Sequence, residues 1–279
     1  MAMVINTNIG SINSQRQLTS TNNALSTSME RLSSGLRVNS AKDDAAGLAI
    51  SNRMTSQIRG MTVGVRNAGD GISMAQTAEA AMGELTNTMQ RMRDLGVQAA
   101  NTGAVTSEDR EKLQTEFKQL NDELSRIVQN TEFNGKKVLN GSLAGGVAFQ
   151  VGAGTSANNI IEISIEDVSG SIASVTAASI GSNATSANVL AAIDSIDTAI
   201  KNIDTARSKL GAAQNRFTTT ISNLQSSIEN QSAARSRILD TDFAEETATL
   251  SRNQILQQAG TAMLSQANQS GQAVLGLLR

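Results

Sequence analysis

Ile196, Ile203, Leu210, Phe217 and Leu224 fall seven residues apart. A repeat sustained that long commits its segment to a helix whose narrow apolar stripe seams against other helices, in the manner of a coiled coil. Ile193, Ile200, Ile221 and Ile228 are expected to fill the companion row, which Arg207 and Gln214 interrupt. The helix is predicted over about 186–236, which at about 1.5 Å per residue is roughly 75 Å long. The molecule is therefore expected to be elongated, since an average globular helix has only about 11–12 residues.

The rest of the chain supports long helices. None of the 279 residues is proline, cysteine, histidine, tryptophan or tyrosine. Without proline nothing breaks a helix from within. Ala78, Met82, Leu85, Met89, Met92 and Ala99 step by fours and threes, with Gly96 in the same stripe, and Leu113, Phe117, Leu120, Leu124 and Ile127 do likewise. The methionines are read as gap-filling core residues. Thr106 or Ser107 can cap the second of these helices, and Glu108 and Asp109 then sit where a helix N-terminus favours negative charge. Between about 133 and 168 the period changes to two. Asn134-Gly135 and Asn140-Gly141 are turn dipeptides, and Val147, Phe149 and Val151, then Ile161, Ile163 and Ile165, alternate with small or polar residues. Two or three short strands or hairpins are expected there. Residues 169–188, rich in Ser, Ala, Thr, Gly and Asn, read as a surface segment of low specificity. The predicted fold is mainly α, an elongated antiparallel helical bundle with a small β-hairpin region.

The same composition narrows function. Without histidine or cysteine there is no His-based triad, thiolate nucleophile or zinc site of the usual ligands, and no enzymatic role or cofactor is expected. A formal net charge of −2 leaves no basic footprint for nucleic acid. No apolar run approaches the about 18 residues of a membrane span, and the first residues carry no secretory signal pattern. Asp43 and Asp44, which precede a helical run, are read as helix caps rather than a catalytic acid pair. Asp240, Asp242, Glu245 and Glu246 lack the residues that would complete a calcium loop.

Both ends are amphipathic. Leu18, Leu25, Met29, Leu32 and Leu36 form one stripe; Leu256, Met263, Ala267, Val274, Leu277 and Leu278 form another. A lone amphipathic helix is marginal in water, so these stripes must bury against each other or against other chains. Lipid is the poorer partner, because the polar faces lack the cations and aromatics of a membrane-surface helix. Residues 1–40 hold Arg16, Arg31 and Arg37 against Glu30, whereas 240–279 hold Arg252 and Arg279 against four acids, so opposite charge would steer the ends together. A chain with two sticky helical ends and no catalytic inventory suits an assembly subunit, and identical subunits in non-closing contact form helical filaments.

INTNIGSINSQRQL and LSSGLRVNSAKDDAAGLAISNRM near one end, with LGAAQNRFTTTISNL, SAARSRILDTDFAEETATLSRNQILQQAGTAMLSQANQ and VLGLLR near the other, closely resemble the two ends of bacterial flagellins. The resemblance implies a structural subunit that self-assembles into the helical flagellar filament for swimming. It implies an inner domain of 1–44 with 240–279, a bundle domain of 45–239, and an outer insertion reduced to about 170–188. It also implies export by the flagellar apparatus to the extracellular filament. The implied partners are other copies of the chain, an export chaperone on the C-terminal stripe, and the filament cap and hook-junction proteins. QRMRDLGVQAANTG and LQTEFKQL resemble the surface that animal Toll-type innate immune receptors read, which would make Arg91 and Leu95 central contacts supported by Glu116. Leu277, Leu278 and Arg279 resemble an end read by intracellular immune sensors. The alternatives are a minor flagellin or hook–filament junction protein, and a soluble coiled-coil signalling rod, against which the β region argues.

Overall fold

Capping residues and left-handed glycines cut the chain into six helices. In the computed structural model, which describes residues 7–276 and side chains as far as 269, these are α1 (Ile9–Ser34), α2 (Ala45–Ala100), α3 (Ser107–Asn130), α4 (Val168–Thr176), α5 (Ser186–Leu239) and α6 (Phe243–Gly276). Asn8 opens α1 by accepting the Ser11 N–H, and Gly35 at φ 72° closes it by donating its N–H to the Arg31 carbonyl. Asp44 accepts the Gly47 N–H at 2.8 Å ahead of α2. Asp43 accepts the Ser40 N–H and hydroxyl in the turn before it. Thr106 caps α3 by accepting the Asp109 N–H.

The chain divides into two units, one of residues 1–56 with 229–279 and one of 57–228. The borders lie inside α2 and α5, whereas the sequence reading divides the chain in the loops at 44/45 and 239/240. The first turns of α2 and the last of α5 pack together: Arg235 donates to the Thr55 hydroxyl at 3.3 Å, and Gly47 faces Ile238.

The 57–228 unit is built on two uninterrupted heptad rows along α2. Met61, Ala68, Ala75, Met82, Met89 and Gly96 form one; Gly64, Gly71, Ala78, Leu85, Met92 and Ala99 form the other; all are buried. Ile196, Ile203, Leu210 and Phe217 on α5 are buried too, and Leu224 is half-buried. The companion row differs from expectation. Ala192, Ala199 and Ala206 occupy it, while Ile193, Ile200, Ile221 and Ile228 are only half-buried on its flank. The seam steps by three rather than four after each large residue, so alanine and not isoleucine takes the second buried position of each repeat. Gln214, which breaks the apolar row, donates to Glu79 at 2.7 Å. Phe217 fits its ring over Gly71, where an added Cβ would stand 2.8 Å from it, and meets Phe149 edge-on at 5.7 Å.

The β region lies in this unit. Strands β1 (Glu132–Phe133) and β2 (Lys136–Lys137) pair antiparallel across Asn134 and Gly135, whose φ values of 49° and 75° are what a two-residue hairpin turn requires. Strands β3 (Val147–Gln150) and β4 (Ile160–Ile163) pair with Val147 opposite Ile163 and Gln150 opposite Ile160. The connection after β3 docks on α2 at two glycines: Gly64 lies under the Val151 carbonyl and Gly60 under Ala153. Asn67 donates to the Gln150 carbonyl at 2.8 Å.

Residues 169–188 are more ordered than a low-specificity surface segment. Asp167 caps α4, whose Val168, Ile172 and Val175 are buried. Beyond it α3 holds the chain by its backbone: Gln114 accepts the Ile180 N–H at 2.6 Å, and Arg110 donates to the Ala184 carbonyl at 3.0 Å. The apolar residues of the segment sit at helical spacing, spread among the Ser and Ala that dominate its composition.

Candidate assembly surface

In the other unit, α1 and α6 run antiparallel. Going up one helix and down the other, Ser11 donates to Asn268 at 2.8 Å, Leu18 faces Gly260, Gln257 donates to Asn22 at 2.9 Å, Arg31 pairs with Glu246 at 3.6 Å, and Gly35 faces Phe243. On α1 the side turned to α6 carries Leu18, Leu25 and Leu32, half-buried, alternating with buried Thr21 and Ser28. The corresponding side of α6 is smaller and more polar, with Glu246 and Asn253 buried and Leu250, Gln257, Gly260, Leu264 and Ala267 half-buried. This is a heptad seam whose fully buried positions are polar and whose leucines are only half-buried.

The predicted stripes therefore separate into two groups. Leu18, Leu25, Leu32, Leu36 and Ala267 are half-buried within the unit. Met29, Leu256 and Met263 are turned away and left 54, 47 and 63% exposed. Ile9, Ile12, Phe243 and Ile255, which the stripe reading missed, are exposed as well. Each lies off the stripe the reading followed, so only counting all apolar residues around the helix would have found them. The side chains of Val274, Leu277 and Leu278 lie outside the described residues, as does Arg279. Apolar side chains turned outward around a polar seam are the pattern of a surface awaiting a protein partner.

Some charged residues at these ends cap helices and others bridge the ends, as Arg31 does to Glu246. Asp242 accepts the Ala244 and Glu245 N–H groups at 2.9 and 3.3 Å and so caps α6, with Glu245 and Glu246 in the first turn. Arg37 donates to the carbonyls that end α5. Among the described residues no group of acids is placed to hold a metal ion, and no helix is long and apolar enough to cross a membrane.

The receptor-type motif falls on α2 and α3. Arg91 makes two hydrogen bonds to one Glu116 oxygen, at 2.7 and 2.9 Å, on the bundle surface. Leu95, expected beside Arg91 as a central contact, is instead 1% exposed and belongs to the buried core. Within this motif Arg93 grips Asp197 on α5 with two bonds, at 2.6 and 3.2 Å, which holds the guanidinium charge more firmly than usual.

Comparison with known proteins decides what the surface belongs to. The model of the bacterial flagellin N-terminal helical region matches residues 5–144, and that of the C-terminal helical region matches 193–278. The chain belongs to the bacterial flagellin family. It is similar to the flagellin of Halalkalibacterium halodurans, 46% identical over 277 residues that cover 99% of this chain and all of that one. The Bacillus subtilis flagellin is 44% identical over 306 positions, again covering 99% of this chain and all of that one. A solved structure described as a flagellar hook-associated protein from Vibrio parahaemolyticus shares the fold, with a TM-score of 0.60 at 15% identity, over 71% of this chain and all of that one. As a flagellin the chain is a structural subunit of the flagellar filament, which is extracellular, and it self-polymerises. Residues 145–192, which hold β3, β4 and α4, lie between the two matched regions.

Proposed function

We propose that the outward apolar side chains of α1 and α6 are where copies of this flagellin meet to polymerise. The reading rests on one observation: the terminal unit buries Thr21, Ser28, Glu246 and Asn253 while Met29, Phe243, Ile255, Leu256 and Met263 stay exposed. That inversion is unfavourable for a free chain and becomes favourable once neighbours cover the apolar face. The subunit is structural, without enzymatic activity or cofactor, and leaves the cell through the flagellar export apparatus. An export chaperone covers the C-terminal stripe before secretion, which shields the same side chains that later polymerise. The cap and hook-junction proteins meet the filament at its ends. Arg91 and Glu116 form the surface open to a Toll-type receptor, and Leu95 supports it from beneath by packing.

Seeded polymerisation tests this. Purified full chain, salted out onto short filament fragments and viewed by electron microscopy, is expected to grow long helical filaments. A chain lacking 240–279, and a full chain carrying Leu256→Ser with Met263→Ser, are expected not to grow. Growth of the doubly substituted chain at the parent rate would overturn the role given to the outward face.

A further inference from the structure

We infer that Arg37 is a positioning residue that sets the register of α1 against α6, and with it the height at which their outward apolar side chains are presented. This rests on the assembly reading of that face. The seam itself specifies register weakly. Its leucines are only half-buried, and the positions it does bury, Thr21, Ser28, Glu246 and Asn253, are polar rather than bulky apolar knobs fitted to holes. Its cross-helix hydrogen bonds, from Asn8 to the Ala267 carbonyl, from Ser11 to Asn268 and from Gln257 to Asn22, can be exchanged for bonds to water. A slip of one helical turn, about 5.4 Å, would leave Ser11 opposite Leu264 instead of Asn268. It would also shift Leu256 and Met263 relative to Met29 by the same distance.

Register is fixed instead at the closed end, where the loop after α1 zips to the loop between α5 and α6. Leu36 and Asp240 face each other in an antiparallel bridge. Arg37 N–H donates to the Leu239 carbonyl at 2.6 Å, and Thr241 N–H donates to the Gly35 carbonyl at 3.0 Å. The left-handed turn at Gly35 is what brings its carbonyl round to that position. The Arg37 guanidinium then reaches past the bridge and donates from Nη2 to the carbonyls of Ile238 and Arg237, at 2.8 and 3.4 Å. These are among the last carbonyls of α5, left without helical partners and carrying the negative end of its dipole. A planar cation with several donors suits them. Packing gives the clasp little help, because an open cavity of about 790 Å³ lies beside it, lined by Arg31, Arg37, Arg237, Asp240 and Thr241 among others. Two of the lining residues keep a buried polar atom without a hydrogen-bond partner, Arg31 Nε and the Thr241 hydroxyl, so polar satisfaction at this end is incomplete beside the clasp.

The absence of cysteine makes a clean test possible in the full chain. One reporter carries Ser11→Cys with Asn268→Cys, the native register. A second carries Ser11→Cys with Leu264→Cys, the slipped one. Under mild oxidation the native pair is expected to cross-link well above the slipped pair. Arg37→Ala is expected to lower the ratio of native to slipped cross-link about tenfold, the loss that goes with a hydrogen bond from a charged group. Arg37→Lys should rescue part of it, because an ammonium keeps the charge but loses the planar fork. The melting of the 57–228 unit should not change. An unchanged ratio in Arg37→Ala overturns the proposal. So does loss of both cross-links, which would make Arg37 a tether rather than a register key, and so does a parent that fails to cross-link. Seeded growth of the cysteine-free parent is scored separately. Its failure beside a shifted ratio would sink the assembly reading and leave the positioning role standing.

Discussion

The bundle and the terminal helix pair use the same heptad geometry in opposite ways. In the 57–228 unit the seam is filled by Met82, Leu85, Met89, Met92, Leu124, Leu210 and Phe217, all buried. In the terminal unit Val38 is the one fully buried apolar side chain among the described residues, apart from which the buried positions are Ser11, Thr21, Ser28, Ser51, Glu246, Asn253 and the glycine Gly47. Exposed large apolar residues divide the other way: Ile9, Ile12, Met29, Ile50, Phe243, Ile255, Leu256 and Met263 against Val63, Val97 and Leu190. One unit has spent its apolar surface on itself. The other leaves it exposed. Heptad spacing alone therefore does not say whether a helix is finished in the monomer; the polarity of the residues actually on the seam does.

The largest effect should come from Phe217. Its ring is fully buried, fits over Gly71 and meets Phe149 edge-on. Phe217→Ala should destabilise the bundle by about 3–5 kcal/mol, read as a lowered urea midpoint. No single apolar-to-alanine change among the exposed residues of the terminal pair should approach that. If Met263→Ala lowered the midpoint equally, the contrast between the units would fail. A second change probes how closely the bundle is fitted. Gly64→Ala puts a methyl into the Val151 carbonyl and should cost about 1–3 kcal/mol by overpacking. Gly83→Ala, in the same helix with nothing within 4 Å of the new methyl, should stabilise by about 0.5–1 kcal/mol. Opposite signs from one substitution in one helix would show that the hairpin dock, rather than helix propensity, holds Gly64.

The sequence makes the bundle readable and half hides the ends. Ile196 to Phe217, the Met82–Met92 stripe and the Asn134-Gly135 turn are legible because core packing and left-handed backbone require particular residue types there. The companion row is not, since Ala192, Ala199 and Ala206 are surrounded by larger isoleucines that attract a hydrophobicity count. Helix α4 is missed because Val168, Ile172 and Val175 are diluted by Ser and Ala. On α6 the reading followed Leu256 and Met263, the apolar residues, while the seam with α1 runs through Asn253, Gln257 and Gly260. Those apolar residues are exposed, off the seam of the monomer. Arg37 is legible only as one of three cations in 1–40; its clasp is not, because its partners are backbone carbonyls 200 and 201 residues away.

The sharpest separation of folding from assembly comes from Leu256→Ser with Met263→Ser. Both side chains are exposed, so the monomer's unfolding midpoint should move by less than about 0.5 kcal/mol. The concentration needed to support seeded growth should rise, because the covered apolar area is lost only in the polymer. A drop in monomer stability with growth unchanged would place these residues on an internal seam and remove the contrast.

The smallest expected effect concerns acid. The N–H and hydroxyl of Ser40 and the N–H of Asn39 hold the Asp43 carboxyl below its ordinary value of 3.8. In the bundle the Thr106 hydroxyl and Lys112 do the same for Asp109. A carboxyl depressed in the folded state contributes stability that is present above the ordinary value and is lost as pH falls through the depressed one. Both groups are exposed, so each contribution is small. The difference lies in what surrounds them. Asp109 opens a helix that buries Phe117, Leu124 and Val128, whereas Asp43 holds the turn before α2 in a unit with hardly any apolar core. Asp43→Asn should therefore raise amide exchange over 39–48 at neutral pH, and the excess over the parent should vanish below the depressed value. Asp109→Asn should leave exchange in the middle of α3 unchanged, since packing holds that helix when its first turn frays. Equal spreading of exchange from both sites would mean that the two units have similar reserves, whatever their seams are made of.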